Sequence, residues 1–99
     1  MILVTGSVLA TTETFDEILA ASLAHVQRSR TEPGCLAHYV HQDAENSLRL
    51  VFVEEWADRT ALLAHFAVPE SRAFAQAVRK LAAEPPVLKI FEATPVSFG

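Results

Sequence analysis

The chain has 99 residues, of which 51% are hydrophobic and 20% are charged, and its formal net charge is −4. This length predicts a single domain over 1–99, and the composition is that of a globular chain rather than a disordered one. The acidic balance excludes the basic footprint of a nucleic-acid-binding protein.

The first half of the chain predicts a strand followed by a helix. Residues 2–10 are apolar and partly β-branched, which is typical of a strand. Thr14 and Glu17 have the spacing of a capping box, so the helix should begin at Thr14 and end near residue 30, before Pro33. Its apolar stripe has helical spacing and consists of Phe15, Ile18, Leu19, Leu23 and Val26.

The second half predicts three strands and two helical segments. The polar stretch 43–47 is turn-like, so the strands on either side of it should pair as an antiparallel hairpin. Asp58 can cap a short helix, and Pro69 suits the first turn of the next one, which should end before Pro85. The three strands are expected at 35–42, 48–57 and 87–94.

The element order βαββαβ, with the second helical segment in two parts, predicts an α+β fold of the ferredoxin-like plan with a four-stranded antiparallel sheet. Apolar side chains occur on both strand faces: in the third strand, Phe52 and Trp56 share one face, and Val51 and Val53 lie on the other. Helices can cover only one face in this plan. The other face should be buried against a second copy, which predicts a homodimer.

The chain carries no pattern that directs it out of the cytoplasm. The N-terminus lacks the basic and apolar regions of a signal peptide, and no apolar run reaches the roughly 20 residues that cross a bilayer. Cys35 is the single cysteine, which excludes an internal disulfide and fits a reducing compartment. We therefore expect a cytoplasmic protein that does not enter membranes.

Several short motifs follow one another in a recognisable order along nearly the whole chain. They are Glu32-Pro33-Gly34-Cys35, Tyr39, Glu54-x-Trp56, Ala64-His65-Phe66, Pro69 and Phe74. In order and spacing the set resembles the antibiotic biosynthesis monooxygenase (ABM) superfamily, and within it the small quinol monooxygenase type. The resemblance implies a dimeric α+β barrel, whose active members oxidise phenolic or quinol substrates with O₂ and without metal or flavin.

The chain also departs from the family pattern. Many relatives carry histidine after the proline, where this chain has Glu70. An asparagine and a tyrosine used by some anthrone-oxidising members correspond to Phe52 and Leu62, which weakens the case for that substrate. The haem-degrading branch needs an asparagine on the first strand, where this chain has residues 5–7 without one, so haem degradation is not expected.

The resemblance and the residue types select the candidate site. His65 matches a histidine common in the quinol-oxidising type; it could act as a general base or interact with the dipole at its helix end. Trp56 matches a tryptophan that borders the pocket in relatives. Tyr39 matches a recurrent aromatic residue and could orient substrate or lie at an interface. The other expected substrate-binding residues are Phe66, Phe74, Phe52 and Glu54, the last of which could be a second acid or base.

The remaining titratable residues point to no metal or cofactor. His38 and His41 should lie on opposite faces of the second strand, and His25, on the flank of the first helix, should be exposed. The histidines lack helical ligand spacing and have no cysteine partners, so no metal set is expected. With three glycines and no glycine-rich loop, a phosphate-bearing cofactor is not expected either.

The predicted function is a cofactor-independent monooxygenase that oxidises a small aromatic quinol or polyketide-like phenol with O₂. A base, a flat apolar pocket and exclusion of water suffice for that chemistry. One alternative is an isomerase of the same fold, which would convert its substrate without O₂. Another is a dimeric ligand-binding or stress-related module without catalysis, in which no cavity would reach His65.

Overall fold

The structure is a computed structural model and describes residues 1–98. Four strands and three helices follow one another in the predicted order, and the strand ends lie within two residues of the expected ones. The elements are β1 (Ile2–Leu9), α1 (Phe15–Ser29), β2 (Cys35–Gln42), β3 (Arg49–Trp56), α2 (Arg59–Ala67), α3 (Pro69–Leu81) and β4 (Val87–Glu92).

The four strands form one antiparallel sheet in the order β2-β3-β1-β4, which confirms the ferredoxin-like α+β fold. Along β1 and β3 every second residue is buried beneath the helices and the residues between them are half-buried. The register places Val4, Glu54 and His38 side by side on the helix-covered face. This row leads into the candidate site described below.

The covered face is packed as two apolar clusters. One surrounds Phe52 and contains side chains from α1 and α3, and the other surrounds Trp56, which is fully buried. At about 25 cal/mol per Å² of apolar surface removed from water, these clusters supply the main stabilisation of the covered face. Their members are Val8, Ala10, Ile18, Val26, Leu50, Phe52 and Val78 in the first, and Ile2, Val4, Trp56 and Leu62 in the second.

Helix ends follow the sequence signals at two sites and depart from them at a third. Asp58 Oδ1 accepts a hydrogen bond from the Ala61 backbone N–H at 2.8 Å, and Pro69 begins α3, both as predicted. The prediction that the Thr14 side chain caps α1 is wrong. Its hydroxyl accepts from the Thr11 backbone N–H at 3.0 Å instead, so it closes the turn before α1 and is not available to the helix.

Gly34 fixes the loop between α1 and β2 against α2. Its φ of +81° is in the left-handed region, and a Cβ placed there would lie 2.5 Å from the Ala61 side chain. Glycine is therefore required both by the backbone angle and by the close approach. The contact holds the loop residue Glu32 beside α2.

The open face of the sheet is mixed rather than wholly apolar. Leu3, Val51 and Val53 alternate there with polar neighbours such as Thr5 and Ser7. All six residues of the edge strand β4 are exposed. The described part of the chain, 1–98, contains no helix long and apolar enough to cross a membrane.

Candidate active site

A cavity of about 280 Å³ lies on the covered side of the sheet, between α3 and the strands β1 and β4. Its volume is near the lower end of ligand pockets, which suits a molecule of one or two rings. Its walls are mostly apolar and come from every helix and from three strands. The lining residues are Gly6, Ser7, Val8, His25, Phe52, Glu54, His65, Phe66, Ser71, Arg72, Phe74, Ala75, Val78, Arg79, Pro86, Val87 and Leu88.

Gly6 keeps the cavity open at its floor. A Cβ at this position would lie 3.5 Å from the Phe52 Cβ and 3.6 Å from the Leu88 Cδ1, both ordinary contact distances. A larger side chain would extend into the free volume above these two residues. The absent side chain is thus part of the shape of the cavity.

Three histidines from three different elements meet beneath the cavity. The ring centroids of His25, His38 and His65 are 5.2 to 5.4 Å apart. All three are buried, with 6%, 0% and 4% of their surfaces exposed. The prediction that His25 is exposed is therefore wrong. Its ring stacks on Phe74 of α3 at a centroid distance of 4.1 Å, a tertiary contact that the helix pattern alone does not reveal.

His65 is held by a carboxylate. Its Nδ1 lies 2.9 Å from Glu32 Oε1, and Glu32 is the loop residue positioned through Gly34. A carboxylate can only accept a hydrogen bond, so Nδ1 donates and, in the neutral ring, Nε2 carries a free lone pair. The fully buried Trp56 ring lies 4.6 Å from the His65 ring and limits its movement. His65 is therefore arranged as a proton acceptor.

His25 is held in the opposite sense. Its Nδ1 lies 2.9 Å from Nη2 of Arg28. Arg28 Nη2 also donates a hydrogen bond to Ser71 Oγ at 3.1 Å. A guanidinium can only donate, so His25 Nδ1 accepts and the ring proton is on Nε2. Burial lowers the pKa of His25 to about 3, with further contributions from His38, His65 and the Arg28 charge. The ring is therefore neutral near pH 7.

Glu54 lies under the histidines as a buried acceptor. The Trp56 indole N–H donates to its Oε1 at 2.9 Å, and His38 Nε2 lies 3.2 Å from the same oxygen without the alignment of a hydrogen bond. Burial raises the pKa of Glu54, but His38 and the Trp56 hydrogen bond outweigh it, and the net pKa is below the ordinary value. Glu54 is therefore an ionised partner for its neighbours rather than a proton donor at neutral pH.

Five of the predicted site residues line the cavity together, and two do not. Trp56 lies behind His65 in the core. Tyr39 lies on the open face opposite Val53, is 48% exposed, and carries the Arg30 guanidinium 4.4 Å above its ring. Because His38 points under the helices, its strand neighbour must point away from them. Tyr39 therefore does not share this cavity with His65, contrary to the prediction. The five that do are Phe52, Glu54, His65, Phe66 and Phe74.

Missing helical ligand spacing and missing cysteine partners do not exclude a metal-ligand set here, because the three histidines come from three different elements. One ring nitrogen from each of His25, His38 and His65 lies within 4.8 Å of the other two, a grouping that could hold a metal ion. The hydrogen bonds work against coordination through Nε2 of His25. That nitrogen would have to lose its proton to Nδ1, where it would face the N–H of Arg28. As bonded here, the cluster is arranged for proton chemistry.

Sequence reasoning missed the supporting residues Glu32, Arg28 and His25. A signal existed for the first, because Glu32 begins the motif that resembles the ABM family. For the second, the spacing of three between His25 and Arg28 is that of helix neighbours. Neither signal shows which ring nitrogen is bonded, and that determines the chemistry.

The fold and the site define a class, a ferredoxin-like α+β protein with an acid–base cavity on the helical side of its sheet. Residues 1–77 match the family described as antibiotic biosynthesis monooxygenase, so the chain belongs to the ABM family. This confirms the resemblance carried by the motifs.

One relative and two solved structures are similar to this chain over most of its length. An uncharacterised protein of Synechocystis sp. is 31% identical over 91 residues, which are 92% of this chain and 62% of the relative; the chain thus spans about three fifths of that protein's length. A crystal structure of an antibiotic biosynthesis monooxygenase superposes with a TM-score of 0.88 at 27% identity, covering 96% of this chain and 100% of the other. Rv0793 from Mycobacterium tuberculosis has the same fold, with a TM-score of 0.90 at 20% identity and 97% of each chain covered.

Proposed function

We propose that the protein is a monooxygenase that oxidises a small aromatic quinol or phenol with O₂, without a bound cofactor. His65 removes the phenolic proton, and the aromatic cavity holds the ring. The observation that carries the proposal is the hydrogen bond from His65 Nδ1 to Glu32, which leaves Nε2 free as an acceptor at an apolar cavity. Membership in the ABM family supports the reaction type.

The reaction balances with the quinol itself as the reductant. His65 takes the phenolic proton, and the resulting phenolate gives one electron to O₂. The ring radical and superoxide then combine, which forms a carbon–oxygen bond. When the O–O bond breaks, the ring C–H hydrogen leaves with the distal oxygen as hydroxide, and this hydroxide regains the proton from His65 as water. One quinol and one O₂ thus give one hydroxyquinone and one water.

The apolar walls assist the electron transfer. Phe52 and Phe74 line the cavity at a centroid distance of 6.0 Å from each other, and Phe66 lines it from α2. Flat rings of this kind favour a flat substrate and exclude water from the phenolate. A dry phenolate is poorly solvated and is therefore a stronger reductant of O₂.

The test measures O₂ uptake with a panel of quinols by protein freed of metals with a chelator. We expect uptake by the wild type and a loss of about 10²-fold or more in kcat for His65→Gln, since a general base contributes about 10²–10⁴-fold. Glu17→Gln is the control, because Glu17 is exposed on α1 and does not line the cavity. No uptake with any quinol, conversion that continues without O₂, or full activity of His65→Gln would contradict the proposal.

We also propose that the protein acts as a homodimer formed through its open sheet face. Half-buried Leu3, Val51 and Val53 and half-exposed Tyr39 lie on this face, and the exposed edge strand adds Phe91 beside Leu3. Near the C-terminus, Phe98 is 99% exposed. A second copy would remove this apolar surface from water.

Sedimentation equilibrium tests the homodimer. We expect a dimer mass at micromolar concentration, and a shift toward monomer for Val53→Lys, which introduces a charge at the centre of the open face. A monomer mass for the wild type at the same concentration would contradict the dimer.

A further inference from the structure

We infer that His25 is a second catalytic residue, the hydrogen-bond donor to the phenolic oxygen that loses its proton to His65, and that Arg28 positions it for this role. The inference deepens the proposed function, and the same two histidines would bind any phenol-type ligand in the cavity. It assigns opposite roles to two rings of the same type: one takes the proton, and the other stabilises the oxygen that remains.

The hydrogen bonds of the two rings lead to this assignment. Both Nδ1 atoms are engaged by other side chains of the protein, that of His25 by Arg28 and that of His65 by Glu32. Within residues 1–98 neither Nε2 has a hydrogen-bond partner, and neither is sealed from solvent, unlike both ring nitrogens of His38. Since both residues line the cavity, their free Nε2 atoms are the polar groups that they offer to a ligand.

The geometry allows both rings to reach one oxygen. The centroids of His25 and His65 are 5.3 Å apart, and ring nitrogens of the two lie within 4.8 Å of each other. A single oxygen about 2.8 Å from each of two nitrogens can bridge a gap of up to about 5 Å at an angle suited to a phenolic oxygen. A phenolic oxygen can therefore lie within hydrogen-bond reach of a nitrogen of each ring, and the inference places it between the two free Nε2 atoms.

The surroundings preserve the donor state of His25. The Arg28 guanidinium opposes a proton on Nδ1, and Ser71 Oγ accepts from the same nitrogen of Arg28 and holds it in place. Stacking on Phe74 at 4.1 Å fixes the plane of the ring. A donor fixed before the ligand binds needs no reorganisation when negative charge develops on the oxygen, which is the property of an oxyanion hole.

The first experiment uses two substitutions that separate the possible roles of His25. Gln retains an N–H near the position of Nε2 but loses the aromatic ring, whereas Phe retains the ring and loses the donor. We expect His25→Gln to keep the quinol oxidation rate within about 5-fold, and His25→Phe to lower kcat about 10²-fold with little change in KM. A normal rate in His25→Phe, or equal losses in the two variants, would overturn the inference.

The second experiment does not depend on turnover. 4-Nitrophenol, whose phenolate absorbs visible light, is titrated with pH in the presence of saturating protein. We expect wild-type protein to lower the pKa of the bound phenol, His25→Phe to bring it back by at least one unit, and His25→Gln to resemble wild type. An unshifted phenol, an equal shift in His25→Phe, or absence of binding would overturn the inference.

Arg28 is tested as the positioning residue through the same spectrum. Arg28→Met removes the donor to His25 Nδ1, so the His25 proton is free to move to that nitrogen. We expect part of the shift in the pKa of the bound phenol to be lost while circular dichroism shows the wild-type fold. A full shift in Arg28→Met would contradict the role of Arg28.

The two experiments separate this inference from the proposed function. If the phenol spectrum depends on His25 but no quinol consumes O₂, the paired histidines stand and the monooxygenase proposal fails. If quinols consume O₂ and His25→Phe is as active as wild type, the monooxygenase stands and the role of His25 fails. Glu17→Gln is the control in both experiments, because Glu17 is exposed on α1 and does not line the cavity.

Discussion

Neighbours along β2 and β3 lie on opposite faces of the sheet, so similar residues experience different surroundings. His38 and Glu54 are on the covered face and buried, whereas His41 and Glu55 are on the open face and lie partly or fully in solvent. Under the helices, burial and close contacts together set the proton position or the pKa of a titratable group, as they do for His25 and Glu54. On the open face, water can supply the hydrogen bonds of a titratable group. The comparison shows that chemistry in this protein follows burial beneath the helices rather than residue type.

The largest difference between the faces should appear when one large aromatic residue is removed from each. Trp56→Ala deletes a fully buried ring and the donor to Glu54, and should lower the free energy of unfolding by about 3–5 kcal/mol. Tyr39→Ala on the open face should cost the fold much less. Urea unfolding measures both, and equal losses would contradict the contrast.

Gly34 joins the covered face to the loop that carries Glu32. Gly34→Ala would force a left-handed backbone and a clash with Ala61, and we expect a loss of about 2–3 kcal/mol. Gly6→Ala meets only ordinary contacts and is the matched control. Thermal unfolding measures the stability of the two variants. A Gly34→Ala protein as stable as Gly6→Ala would show that the loop is not tightly held.

Acid should act on the covered face first. His25 has a pKa of about 3 when folded and an ordinary value of 6.5, so only the unfolded chain binds its proton between these values. Stability that is fully present above pH 6.5 should therefore fall as the pH drops toward 3, by up to about 1.4 kcal/mol per pH unit for this one proton. Unfolding of chelator-treated protein at several pH values should give a flatter stability profile for His25→Gln than for wild type. Identical profiles for wild type and His25→Gln would refute this.

The smallest predicted difference in stability is between substitutions of the adjacent glutamates Glu54 and Glu55. Glu54→Gln keeps an acceptor for the Trp56 indole but loses the charge beside His38, and should cost about 1 kcal/mol. Glu55→Gln, half-buried on the open face, should stay within about 0.5 kcal/mol of wild type. Chemical denaturation measures the free energy of unfolding of both variants. A larger loss for Glu55→Gln than for Glu54→Gln would contradict the expected difference between the two faces.

Much of the fold could be predicted from the sequence, because local patterns determine it. Strand alternation, the Asp58 cap and Pro69 each depend on residues close together in the chain, and all three are as expected. The predicted capping role of Thr14 is wrong because Thr11, three residues earlier, forms hydrogen bonds with its hydroxyl. The geometry of the turn between Thr11 and Thr14 determines which partner the hydroxyl binds, and the capping-box spacing carries no information about that turn.

The site was predictable only in part, for a related reason. Phe52, Phe66 and Phe74 line the cavity as expected, since large rings on the covered side have few other places to lie. The position of Tyr39 was within reach, because strand alternation separates it from His38. The burial of His25 was not, because it depends on contact with α3. The hydrogen bond between His65 and Glu32 joins residues 33 positions apart. The one between Arg28 and His25 lies within α1, but it depends on side-chain orientations that the spacing does not give.

The opposite proton positions on the His25 and His65 rings can be observed directly by NMR. Long-range ¹H–¹⁵N correlation spectra of ¹⁵N-labelled protein distinguish a protonated from a bare ring nitrogen, and His25→Gln and His65→Gln assign the signals. We expect a proton on Nε2 of His25, and a proton on Nδ1 of His65 with its Nε2 bare. The same tautomer in both rings, or a proton on Nδ1 of His25, would contradict this expectation.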